Sequence, residues 1–139
     1  MAIAIKLETR QYILKSDAEA AKEEQTIFFI RPLKFQERAE IQDALLETEI
    51  QALGPKTKDA ARFSKQRIML GKQMELALMA GLDRIENLKD PDGRAIDYTK
   101  SMPNKLKLAV LDLLRVEWCQ ELTQEILGMS GMTGDEEKN

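Results

Sequence analysis

Cys119 is the one thiol in the sequence, and no histidine is present to activate it. A thiol nucleophile needs a base or cation beside it to hold the thiolate, and the sequence neighbours of Cys119 are Trp118 and Gln120 on a helical stretch. The residue reads as a small buried or half-buried apolar side chain. Lack of imidazole also removes the commonest general base near neutral pH and the commonest metal ligand. The glycines build no phosphate cradle, since Gly71-Lys72 lies within a helical pattern and does not follow a strand. Around Asp90-Pro91-Asp92-Gly93 a calcium loop is conceivable, but placing Gly93 at the loop's glycine position puts Leu88 and Thr99 where acidic ligands are needed. Pro and Gly fit a tight turn there far better. Glu23-Glu24 and Glu136-Glu137 sit in polar stretches and read as solvated charge. No catalytic residue, metal ligand or cofactor is expected, and the chain does not read as an enzyme.

What the sequence offers instead is adaptable apolar surface. Of its seven methionines, Met69, Met74 and Met79 fall on one helical stretch, and Met129 and Met132 lie near the end of the chain. Unbranched thioethers fit irregular partners, although they also fill gaps in cores. Trp118 is a core anchor or, if exposed, a binding hot spot. These six residues are the candidate partner-binding set.

Composition narrows the classes further. The chain has 139 residues, with 43% hydrophobic and 32% charged, which suits a compact core under a solvated surface. Lys and Arg number 21 against 24 Asp and Glu, and the two signs are interleaved, so no basic face for nucleic acid stands out. No apolar run is long enough to span a membrane, no secretory signal pattern opens the chain, and the lone cysteine fits a reducing intracellular compartment.

The elements that would position these residues follow from periodicity. Ile3, Ile5 and Leu7 alternate with Ala4, Lys6 and Glu8 as in a half-buried strand. Tyr12–Leu14 and Thr26–Ile30 add strand-forming residues, and Ser16–Gln25 between them reads as a loop or a single helical turn. A helix over Lys34–Leu53 carries Phe35, Ala39, Leu46, Ile50 and Leu53 near one stripe, widened by Ile41 and Leu45, and Gly54-Pro55 stops it. A second helix spans about Lys58–Leu82, with Phe63, Leu70, Met74 and Ala77 or Leu78 at helical spacing and a core-forming end over Met74–Leu82. Gly71 inside it costs about 1 kcal/mol relative to alanine, which suggests that a neighbouring backbone passes close. Ile85–Leu88 and Ala95–Tyr98 form a hairpin around the Pro91–Gly93 turn, joined to the first sheet or separate from it. A third helix runs from Pro103 or Asn104 to about Met129, with Leu111, Leu114, Trp118, Leu122 and Ile126 on one stripe and Leu106, Val110 and Leu113 adjoining. The fold class is therefore α+β, mainly α: three long helices packed with a small N-terminal antiparallel sheet and a hairpin between helices two and three. Residues 1–130 form one domain, with β structure over 1–31 and helix over 34–129, and 131–139 is a loose acidic tail.

Four stretches taken in order resemble a known family. They are LKSD at Leu14–Asp17, TIFFIRPLKFQERAEI at Thr26–Ile41, GLDRIENLKDPDG at Gly81–Gly93, and the ending EILGMSGMTGDEEKN. Together they resemble the tail assembly chaperones of long-tailed bacteriophages and prophages. One position departs from that pattern: Ile85-Glu86-Asn87 stands where the family has an aromatic residue before the Asn. The resemblance implies a protein of the infected host's cytoplasm that binds the tape-measure protein, the long helical molecule that sets tail length, and also the major tail-tube protein. Such a partner exposes apolar stripes that aggregate unless covered. Some family members also have a longer form made by translational frameshifting, and self-association is open. The alternative is a structural tail component, a completion or terminator protein retained in the virion. A small enzyme or a nucleic-acid-binding regulator fits the composition less well.

Overall fold

The computed structural model describes residues 1–52 and 71–132. Four antiparallel strands form one sheet in sequence order: β1 (Arg10–Ile13), β2 (Ile27–Ile30), β3 (Leu82–Lys89) and β4 (Ala95–Thr99). The β3–β4 hairpin thus joins the N-terminal pair. Helices among the described residues are α1 (Phe35–Ala52), α2 (described over 71–81), α3 (Asn104–Leu111) and α4 (Val116–Met129). Two single 3-10 turns, Lys15–Asp17 and Lys22–Glu24, lie between β1 and β2.

Register puts Tyr12, Phe28, Ile85 and Tyr98 in one row across the sheet. Phe28, Ile85 and Tyr98 are buried and Tyr12 is half-buried, so this face meets the helices. The opposite row is Gln11, Phe29, Arg84 and Thr99, where the Arg84 guanidinium covers the Phe29 ring at 4.1 Å. One buried cluster draws Leu14, Leu33, Ile41, Leu78, Leu122, Ile126 and Leu127 onto the inner row. The hairpin turn forms as its residues require. Gly93 takes φ 84°, and Asp90 Oδ1 accepts the N–H groups of Asp92 and Arg94 at 2.9 and 2.8 Å.

Four expectations are corrected. First, the long third helix is two helices. Leu113 and Leu114 donate to Val110 and Leu111 in a tightened turn, and Arg115 is extended at φ −67°, ψ 148° before α4 begins. An unbroken helix over those 26 residues would be about 39 Å long, more than a small domain can cover. Turning back lets α3 lie by β4 while α4 lies across β1, where Glu125 pairs with Arg10 at 2.8 Å and Glu121 accepts from Tyr12. The architecture is therefore α+β without three long helices.

Second, Phe35 and Leu46 of the predicted core stripe of α1 are turned to solvent. Among the described residues of α1 Ile41 is fully buried, whereas Phe35 is 77% and Leu46 55% exposed. Third, Ile3–Leu7 forms no strand, because β2 has nothing left to pair with it. Beyond Ile30 the N–H of Arg31 goes to Gly81 O at 2.9 Å, Pro32 has none, and that of Leu33 goes to Ser130 Oγ at 2.7 Å.

Fourth, nothing lies within 4 Å of a Cβ built on Gly71, and the close approach is instead at Gly81. A Cβ there would stand 2.6 Å from Ile126 Cγ2 and 3.2 Å from Arg31 O. Ile126 is sealed in the core and cannot yield, so Gly81→Ala should lower stability by about 1–3 kcal/mol through overpacking. Urea denaturation checks this, and an unchanged midpoint contradicts the packing described. The Gly54-Pro55 stop, Phe63, Leu70 and the 133–139 tail lie outside the described residues.

Candidate protein-binding surface

Trp118 sits in the first turn of α4, directly after the extended Arg115 that separates it from α3. The break aims its ring toward the end of the sheet, and it joins two adjoining clefts. One, of about 360 Å3, is floored by Leu14, Phe28 and Leu88 and carries Asp17, Glu23 and Glu24. The other, of about 420 Å3, is lined by Leu88, Pro91, Ile96 and Leu113 with Lys89, Asp90 and Arg115. Leu88, Lys89 and Trp118 line both, so the two form one depression with the indole between them. The Arg115 guanidinium lies 5.7 Å from the Trp118 ring centre. One end of the depression thus carries three carboxylates and the other charges of both signs, around an apolar middle.

The wall on the acidic side is held by a web of side-chain hydrogen bonds. Gln25 Nε2 donates to the carbonyls of Asp17 and Ala20, each at 3.2 Å, and Asp17 Oδ2 accepts from Thr26 N at 3.1 Å. Asn87, at φ 62° in the bulge of β3, donates from Nδ2 to the carbonyls of Glu23 and Gln25 at 2.9 and 3.0 Å. Thr26 Oγ1 returns a bond to Asn87 O at 2.9 Å. Ser16–Gln25 is therefore a shaped wall held by side-chain bonds. An Asn87→Ala substitution would remove both donors and strain the left-handed backbone, lowering stability by about 1–2 kcal/mol. Hydrogen exchange confined to the Ser16–Gln25 amides would register it; protection equal to wild type would refute the tether.

α1 is positioned by charge. Arg31 grips Glu37 through both guanidinium nitrogens at 2.9 and 2.7 Å, and Glu37 Oε1 also caps the helix by accepting Lys34 N at 2.8 Å. Asp83 adds an ion pair to Arg31 Nε at 3.6 Å and another to Lys100 at 3.6 Å. The Arg31 hydrogen bonds hold the Glu37 carboxyl below its ordinary range, against the opposing effect of burial. A depressed folded value means that this contribution is fully present above the unfolded-state value of about 4.3 and is lost as pH falls through the folded value. Glu37→Gln should therefore be less stable than wild type at neutral pH, with the gap closing below about pH 4. Thermal melts across pH would show the convergence, and a gap independent of pH would exclude the carboxylate as its source.

The predicted residues do not converge on one site. Trp118 lies at the centre of the depression. Met74 and Met79 are half-buried on α2, and Met79 O accepts from Lys107 Nζ at 3.4 Å. Met129 lines a hollow with Lys6, Glu8, Thr9 and Arg10, and Met132 lines another with Phe35, Arg38 and Gln42. Met69 lies outside the described residues. Missing from the predicted set were Leu88, Pro91, Ile96 and Leu113 at the depression, and the exposed Phe35, Leu46, Leu106 and Val116. Their signal was present: α1 and the α3–α4 stretch each carry more apolar positions than one core stripe uses. Cys119 is half-buried against the core, and burial raises its thiol pKa. Among the described residues no group of three or more potential ligands is placed to hold a metal ion, and no helix is long and apolar enough to cross a membrane. Comparison with protein-family models, curated proteins and solved structures found no match to this chain.

Proposed function

We propose that this protein is a tail assembly chaperone of a long-tailed bacteriophage or prophage, which binds the tape-measure protein in the host cytoplasm and keeps it soluble until tail-tube subunits surround it. The observation that carries the reading is the Trp118 depression, a trough with a half-buried indole and apolar floor between an acidic end and one of mixed charge. A trough of that kind suits an amphipathic helix laid along it, with apolar side chains on Leu88, Ile96 and Leu113 and charged ones at the ends. Exposed apolar residues beyond the trough, Leu106 and Val116 on the helices around it and Phe35 and Leu46 on α1, add surface for a partner with long apolar stripes. The four sequence stretches that resemble the family supply the choice of partner. Chemistry at this surface is recognition, without bond making.

Co-expression with the tape-measure protein tests the proposal. The tape-measure protein should move from the insoluble to the soluble fraction and co-purify with this chain. A tape-measure protein that stays insoluble, or is soluble without binding, contradicts it. A mass-spectrometric census of purified virions separates the chaperone from a retained tail component: the chaperone should be missing or far below stoichiometric.

A further inference from the structure

The segment before β1 has the alternation of a strand in its sequence and, among the described residues, no strand beside it. Ile3, Ile5 and Leu7 alternate with Ala4, Lys6 and Glu8 along the sequence, a 3.3 Å Lys6–Glu8 ion pair sets those two side chains together, and Ile5 is half-buried beside Gly131. Ile3 is 87% and Leu7 64% exposed. Among the described residues, none makes a backbone hydrogen bond to residues 1–8. The residues that follow β2 have no donors to offer it, because those of Arg31 and Leu33 are committed elsewhere and Pro32 has none. Meanwhile β1 is an edge of the sheet, open on its outer side.

We propose that Ile3–Gln11 of two copies pair antiparallel across a two-fold axis at Leu7, so that each copy extends the β1 edge of the other. Charge selects both the occupant and the register. Centring the axis on Leu7 sets Lys6 of each copy opposite Glu8 of the other, giving two complementary cross-strand pairs. Centring it on Lys6 or Glu8 would stack like charges face to face. The Leu7 register also places Ile5 opposite Thr9 and Ile3 opposite Gln11, and it brings the Ile3, Ile5 and Leu7 side chains of both copies onto one face. A second copy is self-complementary here, as an isologous interface requires. Of β1 itself the pairing covers Arg10 and Gln11, which are then no longer free to template open-ended strand addition. This interface is independent of the Trp118 depression.

Sedimentation velocity of the full chain over a concentration series tests it. Lys6 and Glu8 are solvent-exposed, so charge reversal leaves the fold intact, which circular dichroism verifies. Wild type should be a reversible dimer. Lys6→Glu or Glu8→Lys alone should weaken it about tenfold or more, by opposing like charges at both pairs. The double swap should restore the dimer, and an equimolar mixture of the two single variants should form a heterodimer. A wild type that stays monomeric to about 1 mM, single variants that associate like wild type, or a double swap that restores nothing would each overturn the proposal.

Discussion

Ile126→Asp abolishes the fold. Ile126 is completely buried on α4, in van der Waals range of the Gly81 backbone, and its carbonyl accepts the Ser130 hydroxyl at 2.6 Å. That same hydroxyl oxygen accepts Leu33 N, so this turn of α4 locks the start of α1 to the end of α2. A carboxylate at this position would be buried in the apolar cluster, and the isoleucine packing would be lost as well. The combined cost exceeds about 4 kcal/mol, a large part of the roughly 5–15 kcal/mol that stabilises a domain. Leu122→Asp, at the neighbouring fully buried position, should behave alike. Leu113→Asp is the control. Leu113 is 62% exposed, and its replacement should stay within about 0.5 kcal/mol of wild type. Circular dichroism melts of the three variants measure this directly, and a cooperative melt retained by Ile126→Asp would contradict the core assignment.

Trp118→Ala removes the side chain that both clefts share. Buried aromatic anchors at the centre of an interface cost about 2 kcal/mol or more when truncated, so affinity for the tape-measure partner should fall roughly thirtyfold or further. The indole also packs against the core, which makes some loss of stability unavoidable. Comparing it with Arg115→Ala separates the two effects. Arg115 is exposed and reaches the depression through the cation–π contact, so its loss should weaken binding by less than tenfold and leave the melt unchanged. Isothermal titration with a tape-measure helix peptide provides both affinities. Equal binding by wild type and Trp118→Ala would remove the depression from the interface.

Local chemistry was legible and distant chemistry was not. Phe28 and Ile30 alternate with half-buried neighbours as a strand should, and Asp90–Gly93 closes the turn its residues prescribe. The span of α1 came through because Glu37 and the periodicity of its apolar residues are local signals. Which side of α1 faces inward was not, because Phe35 and Leu46 match Ile41 in apolarity and differ only in what packs against them. The α3–α4 break carries neither proline nor glycine. It exists because the sheet is shorter than the stretch that covers it, a tertiary constraint with no local trace. Likewise Ile3–Leu7 has the alternation of a strand, and the reason it lacks one lies at Arg31, Pro32 and Ser130, far along the chain. At the depression, Trp118 stood out by residue type alone. Leu88, Ile96 and Leu113 become neighbours of it only when hairpin and helices meet. Methionine flexibility suits recognition and gap-filling equally, and the described ones of the candidate set are spread over separate surfaces.

Trp118 is the sole tryptophan of the chain, so its fluorescence reports on the depression itself. Titrating the protein with an amphipathic helix from the tape-measure protein should shift the emission to shorter wavelength and saturate at one stoichiometry as the indole is dehydrated. Emission that stays constant while the peptide binds would place recognition elsewhere and contradict the account.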